Sequence, residues 1–202
     1  TVTGTAKKVF EVYADTTIMN GSIIGANRCV DTRKAVELTL SDVNLTADKY
    51  SSVNGNSQPL TIGGSENGTK VTMTNVNIDA GVAGYGIITF VETDLTATDS
   101  TISGGQATST AAWSGGGNIV AYNANITLTG TRVEGGSAGL CGGNILVGTG
   151  TLKVSGGEIT GGNSKGAAKN VYVYYSESNA EITGGTIESL YYKDAESFKM
   201  SG

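Results

Sequence analysis

From Asn125 onward the sequence carries two segments that superpose at a constant offset of 26 residues. Leu128 falls on Val154, Val133 on Ile159, Gly135-Gly136 on Gly161-Gly162, and Asn144 on Asn170. The apolar pair Ile145/Val147 falls on Val171/Val173. Few folds accommodate such an offset. A supersecondary unit of this size cannot bury its own apolar face, so it stacks on copies of itself and shares one continuous core, the sequence mark of a solenoid.

The template is an apolar anchor, a Ser or Thr directly after it, and a second apolar residue five positions on. It recurs at Leu40-Ser41 with Leu45, Met73-Thr74 with Ile78, Ala97-Thr98 with Ile102, Leu128-Thr129 with Val133, Val154-Ser155 with Ile159, and Ile182-Thr183 with Ile187. Ile18 and Ile23 form a weaker first copy with Met19 in the hydroxyl slot. The steps from anchor to anchor are 22, 33, 24, 31, 26 and 28 residues, which excludes short hexapeptide solenoids and assigns the surplus residues to loops. Phe198, Met200 and Ser201-Gly202 repeat the pattern of Leu152, Val154 and Ser155-Gly156, and the first residue is Thr1 rather than Met. The chain is therefore expected to be a piece of a longer protein that stops inside a repeat.

Each repeat is expected to hold three short strands. The first carries the anchor, and the second carries the residue five on. A glycine bend follows at Gly81, Gly104-Gly105, Gly135-Gly136 or Gly161-Gly162, where a corner demands positive φ or close approach. The third strand follows a variable loop (46–59, 79–85, 103–117, 134–143, 160–169) and reads LTI at 60–62, GIITF at 86–90, NIVAY at 118–122, NILV at 144–147 and NVYVY at 170–174. Strand alternation places Ile119/Ala121, Ile145/Val147 and Val171/Val173 inside. Residues 1–13 form a cap or partial coil, in which KKVFEVY fits a strand or a short capping helix equally well.

Composition narrows the partners. With 31 Gly, one Pro, no His and 15% charged residues the chain resembles a disordered one, yet apolar alternation in every repeat argues for a folded all-β domain spanning 1–202. Net charge is −5 and only Arg28, Arg33 and Arg132 are arginines, so no basic stripe is offered to nucleic acid. No run approaches the roughly 20 apolar residues of a membrane span. Cys29 and Cys141 lie four repeats apart, about 19 Å at the ~4.8 Å strand spacing, against a Cα limit of about 7 Å for a disulfide. Two unpaired, buried thiols are expected.

The SGGEITGGNS texture, the GGN-Ile-x-Val run and the uneven repeats resemble right-handed parallel β-helix proteins of the pectate-lyase-like kind, and more narrowly the Gly/Thr/Asn-rich β-helix regions of secreted or surface-anchored bacterial adhesin-like proteins. The resemblance covers about residues 14–202 and implies a right-handed β-solenoid of about seven to eight coils, roughly 35 Å long. It is nearly silent on activity.

Three arrays are candidates for function. On the outer face of the third strands, Ile88/Phe90, Val120/Tyr122, Leu146, Tyr172/Tyr174 and Tyr191/Tyr192 form an apolar, aromatic stripe. Either a loop or partner covers it, or its flat rings stack on a sugar. Trp113, in the loop AAWSGGGN, is the candidate binding residue of the loops, with packing over the coil edge as its alternative role. The ligand-binding set is thus Phe90, Trp113, Tyr122, Tyr172 and Tyr174. Asn118, Asn144 and Asn170, with Asn27 as a further member, are expected to form an internal amide ladder. Thr39/Ser41, Thr72/Thr74, Thr96/Thr98 and Thr127/Thr129 make a hydroxyl grid resembling ice-binding β-solenoids, although Lys153/Ser155 and Glu181/Thr183 interrupt it and Thr is at home on any exposed strand.

Catalysis has little support. The galacturonase motifs NTD, GHG and RIK are missing, and without His no imidazole acid or base exists. A calcium-dependent lyase needs a carboxylate cluster beside a base, and Asp94, Asp99 and Arg132 are too dispersed, with Asp42, Asn75 and Asp99 better explained as turn residues. No metal or cofactor is expected. Four N-x-[ST] sequons (Asn20, Asn44, Asn67, Asn125) are what such a composition yields by chance. The expected function is that of a non-catalytic extracellular or cell-surface module, a stalk or recognition domain whose partner is a glycan or another surface protein. A polysaccharide-degrading domain and an ice-binding protein are the alternatives.

Overall fold

The structure, a computed structural model, describes residues 1–4, 8–25, 28–47, 59–62, 67–80, 85, 87–89, 92–107, 115–194 and 197–201, with backbone alone at 88 and 89. Every regular element among them is a β-strand, and every strand pairing is parallel. No described helix is long and apolar enough to cross a membrane. Parallel pairing throughout a chain of short strands requires each strand to meet its partner after a full excursion. The topology is compatible with a β-solenoid.

The anchors stack in register. Ile18, Leu40, Met73, Ala97, Leu128, Val154, Ile182 and Met200 are Cα partners in succession across one 14-stranded sheet. Ile23, Leu45, Ile78, Ile102, Val133, Ile159 and Ile187 form a second column in the same sheet. Between the columns the chain turns a corner at Asn20, Asp42, Asn75 and Asp99, with φ of 57°, 55°, 51° and 47°. Asn and Asp tolerate this left-handed geometry, and in the later repeats Gly130 and Gly156 take it over. Asn75 Nδ2 donates to Asp42 Oδ1 at 2.7 Å across one corner, so the shared register of these residues is that of turns.

A second sheet of 8 strands runs Lys8–Val12, Arg28–Thr32, Leu60–Ile62, Ile87–Thr89, Ile119–Ala121, Ile145–Val147, Val171–Tyr174 and Leu190–Lys193. Within KKVFEVY, Lys8–Val12 thus forms a strand rather than a capping helix. Ile119, Ala121, Ile145, Val147, Val171 and Val173 are fully buried and close the core against the anchor columns. Tyr192 pairs with Val173 and packs inward, so it does not extend the outer stripe.

The loops hold more order than the sequence suggests. Gln106–Ala107, Ser137–Ala138 and Asn163–Ser164 pair as a third sheet of 3 strands inside segments read as surface excursions. Beside it the segments ending in Asn118, Asn144 and Asn170 stack on one another: Gly117 N donates to Gly143 O at 2.8 Å, and Asn144 N to Asn170 O at 3.0 Å. The buried amides lock this stack. Asn118 Nδ2 donates to Asn144 Oδ1 at 2.7 Å, and Asn144 Nδ2 to Asn170 Oδ1 at 2.6 Å. Each Oδ1 also accepts a glycine N–H at 2.8 Å, from Gly105, Gly136 and Gly162 in turn. Glu188 Oε2 receives the last amide at 3.1 Å and Gly161 N–H at 2.8 Å, and these bonds lower its pKa, the backbone donor foremost. Asn27 lies outside the described residues.

Candidate functional site

The outer face of the second sheet changes character along its length. One row of Cα partners runs Glu11, Asp31, Thr61, Ile88, Val120, Leu146, Tyr172, Tyr191. It begins charged, becomes aliphatic and ends aromatic. Val120 and Leu146 are 3% exposed, and Cys141 packs against them from the neighbouring stack. The middle of the stripe is therefore covered by the chain itself, while the aromatic end opens into a cleft.

Two residues beyond that row stands another: Tyr122, Gly148, Tyr174 and Lys193, one from each successive repeat. Gly148 decides the shape. A Cβ there would lie 2.5 Å from Tyr122 Cε1 and closer still to Cδ1, so the Tyr122 ring lies across the gap that the missing side chain leaves. A cleft of about 300 Å³ results, with Leu146 and Gly148 as its floor, Tyr122, Tyr172, Tyr174 and Tyr175 as its walls, and Leu140, Cys141 and Ala167 along the opposite rim. Tyr172 stacks on Tyr174 at 5.5 Å between centroids and on Tyr191 at 5.3 Å, and Tyr174 meets Tyr175 at 4.1 Å. Lys193 Nζ sits 5.4 Å from the Tyr174 centroid.

None of the described lining residues carries a charge at neutral pH. Burial pushes the Tyr122 phenol far above its ordinary pKa, and burial, followed by Cys141 and the neighbouring phenols, pushes Tyr172 up to about 12. Both hydroxyls remain protonated and able to donate as well as accept. Burial also raises the Cys141 thiol, which weakens it as a nucleophile.

Tyr122, Tyr172 and Tyr174 thus share one site, whereas Phe90 and Trp113 fall outside the described residues. The sequence left out Tyr175, Gly148 and Cys141. The glycine's position in the aromatic row was the available signal for the gap. Neither Cys29 nor Cys141 forms a disulfide among the described residues, both are buried, and Cys29 Sγ donates to Thr46 O at 3.3 Å.

The other arrays stay apart. Thr39, Thr72, Thr74 and Thr129 are exposed on the long sheet and Thr96, Thr98 and Thr127 half-buried, in register as Thr39, Thr72, Thr96, Thr127 and Ser41, Thr74, Thr98, Thr129. Asp94 and Asp99 sit at opposite ends of strand Thr93–Thr98, about 17 Å of extended chain apart. Arg132 pairs instead with Glu158 at 3.2 Å and Glu134 at 3.6 Å. No protein-family model, curated protein or solved structure matches the chain.

Proposed function

We propose that this chain is a right-handed parallel β-helix of about seven to eight coils serving as a non-catalytic recognition and spacer module of a secreted or cell-surface protein, adhesin-like in role, which binds glycan in the tyrosine cleft. The observation that carries this reading is the uncharged cleft walled by four tyrosine rings. Its volume of about 300 Å³ lies at the small end of the range of about 300–1,000 Å³ in which small ligands are held. Flat phenol faces suit the apolar face of a sugar ring, and hydroxyls at the ring edges suit its equatorial oxygens. Neither carboxylate nor imidazole lines the cleft among the described residues, and its one thiol is held in the protonated form, which supports binding over chemistry.

Glycan-array binding followed by titration calorimetry tests this. Tyr172→Ala and Tyr174→Ala are each expected to weaken the bound glycan at least about tenfold, or 1.4 kcal/mol, while Tyr13→Ala, exposed and far along the chain, changes nothing. Failure of the unmodified chain to bind any glycan, or undiminished binding by both cleft variants, sinks the proposal.

A further inference from the structure

The rim of the tyrosine cleft carries a charge that its lining lacks. Ala167 borders the cleft, and two residues to either side of it stand Lys165 and Lys169, both exposed. Among the described residues neither joins a salt bridge. The segment is held in place: Ser164 Oγ donates to Ala168 O at 2.9 Å, and Gly142 N donates to the same carbonyl at 3.0 Å. Across the cleft, Lys193 rests against the Tyr174 ring with Asp194 as its only salt-bridge partner among the described residues, at 4.0 Å, both side chains largely in water. From Asn163 to Ser176 the chain has two lysines and no acid, in a protein whose net charge is −5. Glu177 and Asp194 are the acids next along these segments, both exposed; Asp194 lies near enough to Tyr172 to help raise its pKa, and Lys169 near enough to Glu188 of the ladder to help lower its pKa.

We infer that the cleft takes an acidic glycan. An uncharged ring packs among the tyrosines, while a carboxylate or sulfate on a neighbouring ring meets Lys165, Lys169 or Lys193. This rests on the carbohydrate reading above and names its ligand class. A charge on the ring inside the cleft is disfavoured, because the lining would strip its water and offer no counter-charge. A charge one ring away finds the Lys193 ammonium beside the Tyr174 ring, and Lys165 and Lys169 on the segment that borders the cleft, while staying hydrated. Exposed pairs of this kind contribute modestly each and are screened by salt, so the lysines set preference while the tyrosines set affinity.

Two probes sharing a neutral N-acetylglucosamine ring separate the cases: a hyaluronan oligosaccharide, in which uronates alternate with that ring, and a chitin oligosaccharide, which has no charge. Titration calorimetry at low and high salt is expected to give hyaluronan about tenfold tighter binding at low salt, with the preference shrinking as salt rises. Combining Lys165→Gln, Lys169→Gln and Lys193→Gln is expected to bring the two probes to the same affinity, and Tyr172→Ala to weaken both. The inference is overturned if the unmodified protein binds chitin as tightly as hyaluronan, or if the lysine variant keeps the preference. If neither probe binds, this inference fails, and the glycan array alone then decides the carbohydrate reading.

Discussion

Asn144 shows how much of the fold rests on single polar side chains. Its amide has two donors and two acceptor positions, and all are used. Nδ2 donates to Thr160 O at 2.8 Å and Asn170 Oδ1 at 2.6 Å, and Oδ1 accepts from Asn118 Nδ2 at 2.7 Å and Gly136 N at 2.8 Å. A fully buried amide is tolerable only when satisfied in this way. Asn144→Ala removes all four bonds and orphans the Gly136 N–H and one Asn118 Nδ2–H in the interior, while the Thr160 carbonyl keeps the Gly135 N–H at 3.3 Å. At about 1–3 kcal/mol for each stranded group, the loss should reach about 2–5 kcal/mol by urea unfolding. Asn125 offers the contrast, since its side chain bonds Asp94 at 2.9 Å on the surface, and Asn125→Ala should stay within about 0.5 kcal/mol. Equal losses at the two sites would remove the ladder from its structural role.

At the scale of the strand and its corner, the glycine doublets divide their work. Gly135 has φ 66° with open space where a side chain would go, whereas a Cβ on Gly136 would press into the Gly143 carbonyl and come within 2.7 Å of Asn144 Oδ1. Gly135→Ala therefore pays for conformation alone, about 1 kcal/mol, and Gly136→Ala must displace backbone, about 3 kcal/mol or more. Thermal unfolding of the two variants should show the larger drop for Gly136, and the reverse order would contradict the close approach. The doublet itself was legible because it recurs at Gly104-Gly105, Gly135-Gly136 and Gly161-Gly162, but which glycine meets which demand depends on the stacked carbonyl of another segment. The same divide runs through the chain. Leu40, Met73 and Leu128 stand in one column as their spacing predicts, because side-chain alternation is a local property of strands. Gln106–Ala107 and Ser137–Ala138 escaped notice because two residues carry no period. The tyrosine row was legible as an outer face, but the cleft was not, since it needs a missing side chain at Gly148 and a rim from a loop.

Across the whole molecule each repeat contacts its neighbours, so stability is expected to be a sum of local terms rather than one global quantity. The charged start of the second sheet is the place to test this. Asp31 is 1% exposed and holds Lys8 at 3.0 Å, Arg28 at 3.1 Å and Arg33 at 3.5 Å, with Glu11 pairing with Lys8 and Arg33 beside it. Hydrogen bonds to Glu11 and then Asp31 raise the Lys8 pKa, so the ammonium form is the one this corner selects. Removing the buried partner of such a cluster leaves three cations crowded at one strand pair without their shared anion. Asp31→Ala should loosen Lys8–Val12 against Arg28–Thr32 and leave the amide ladder untouched. Hydrogen exchange read by mass spectrometry should rise at least about tenfold in those two strands, equivalent to 1.4 kcal/mol. Ile119–Ala121 and Ile145–Val147 should keep their protection, because their partners and the bonds of Asn118 and Asn144 lie several repeats away. Uniform acceleration across both regions would mean that the column unfolds as one unit, and the additive picture of its stability would have to be abandoned.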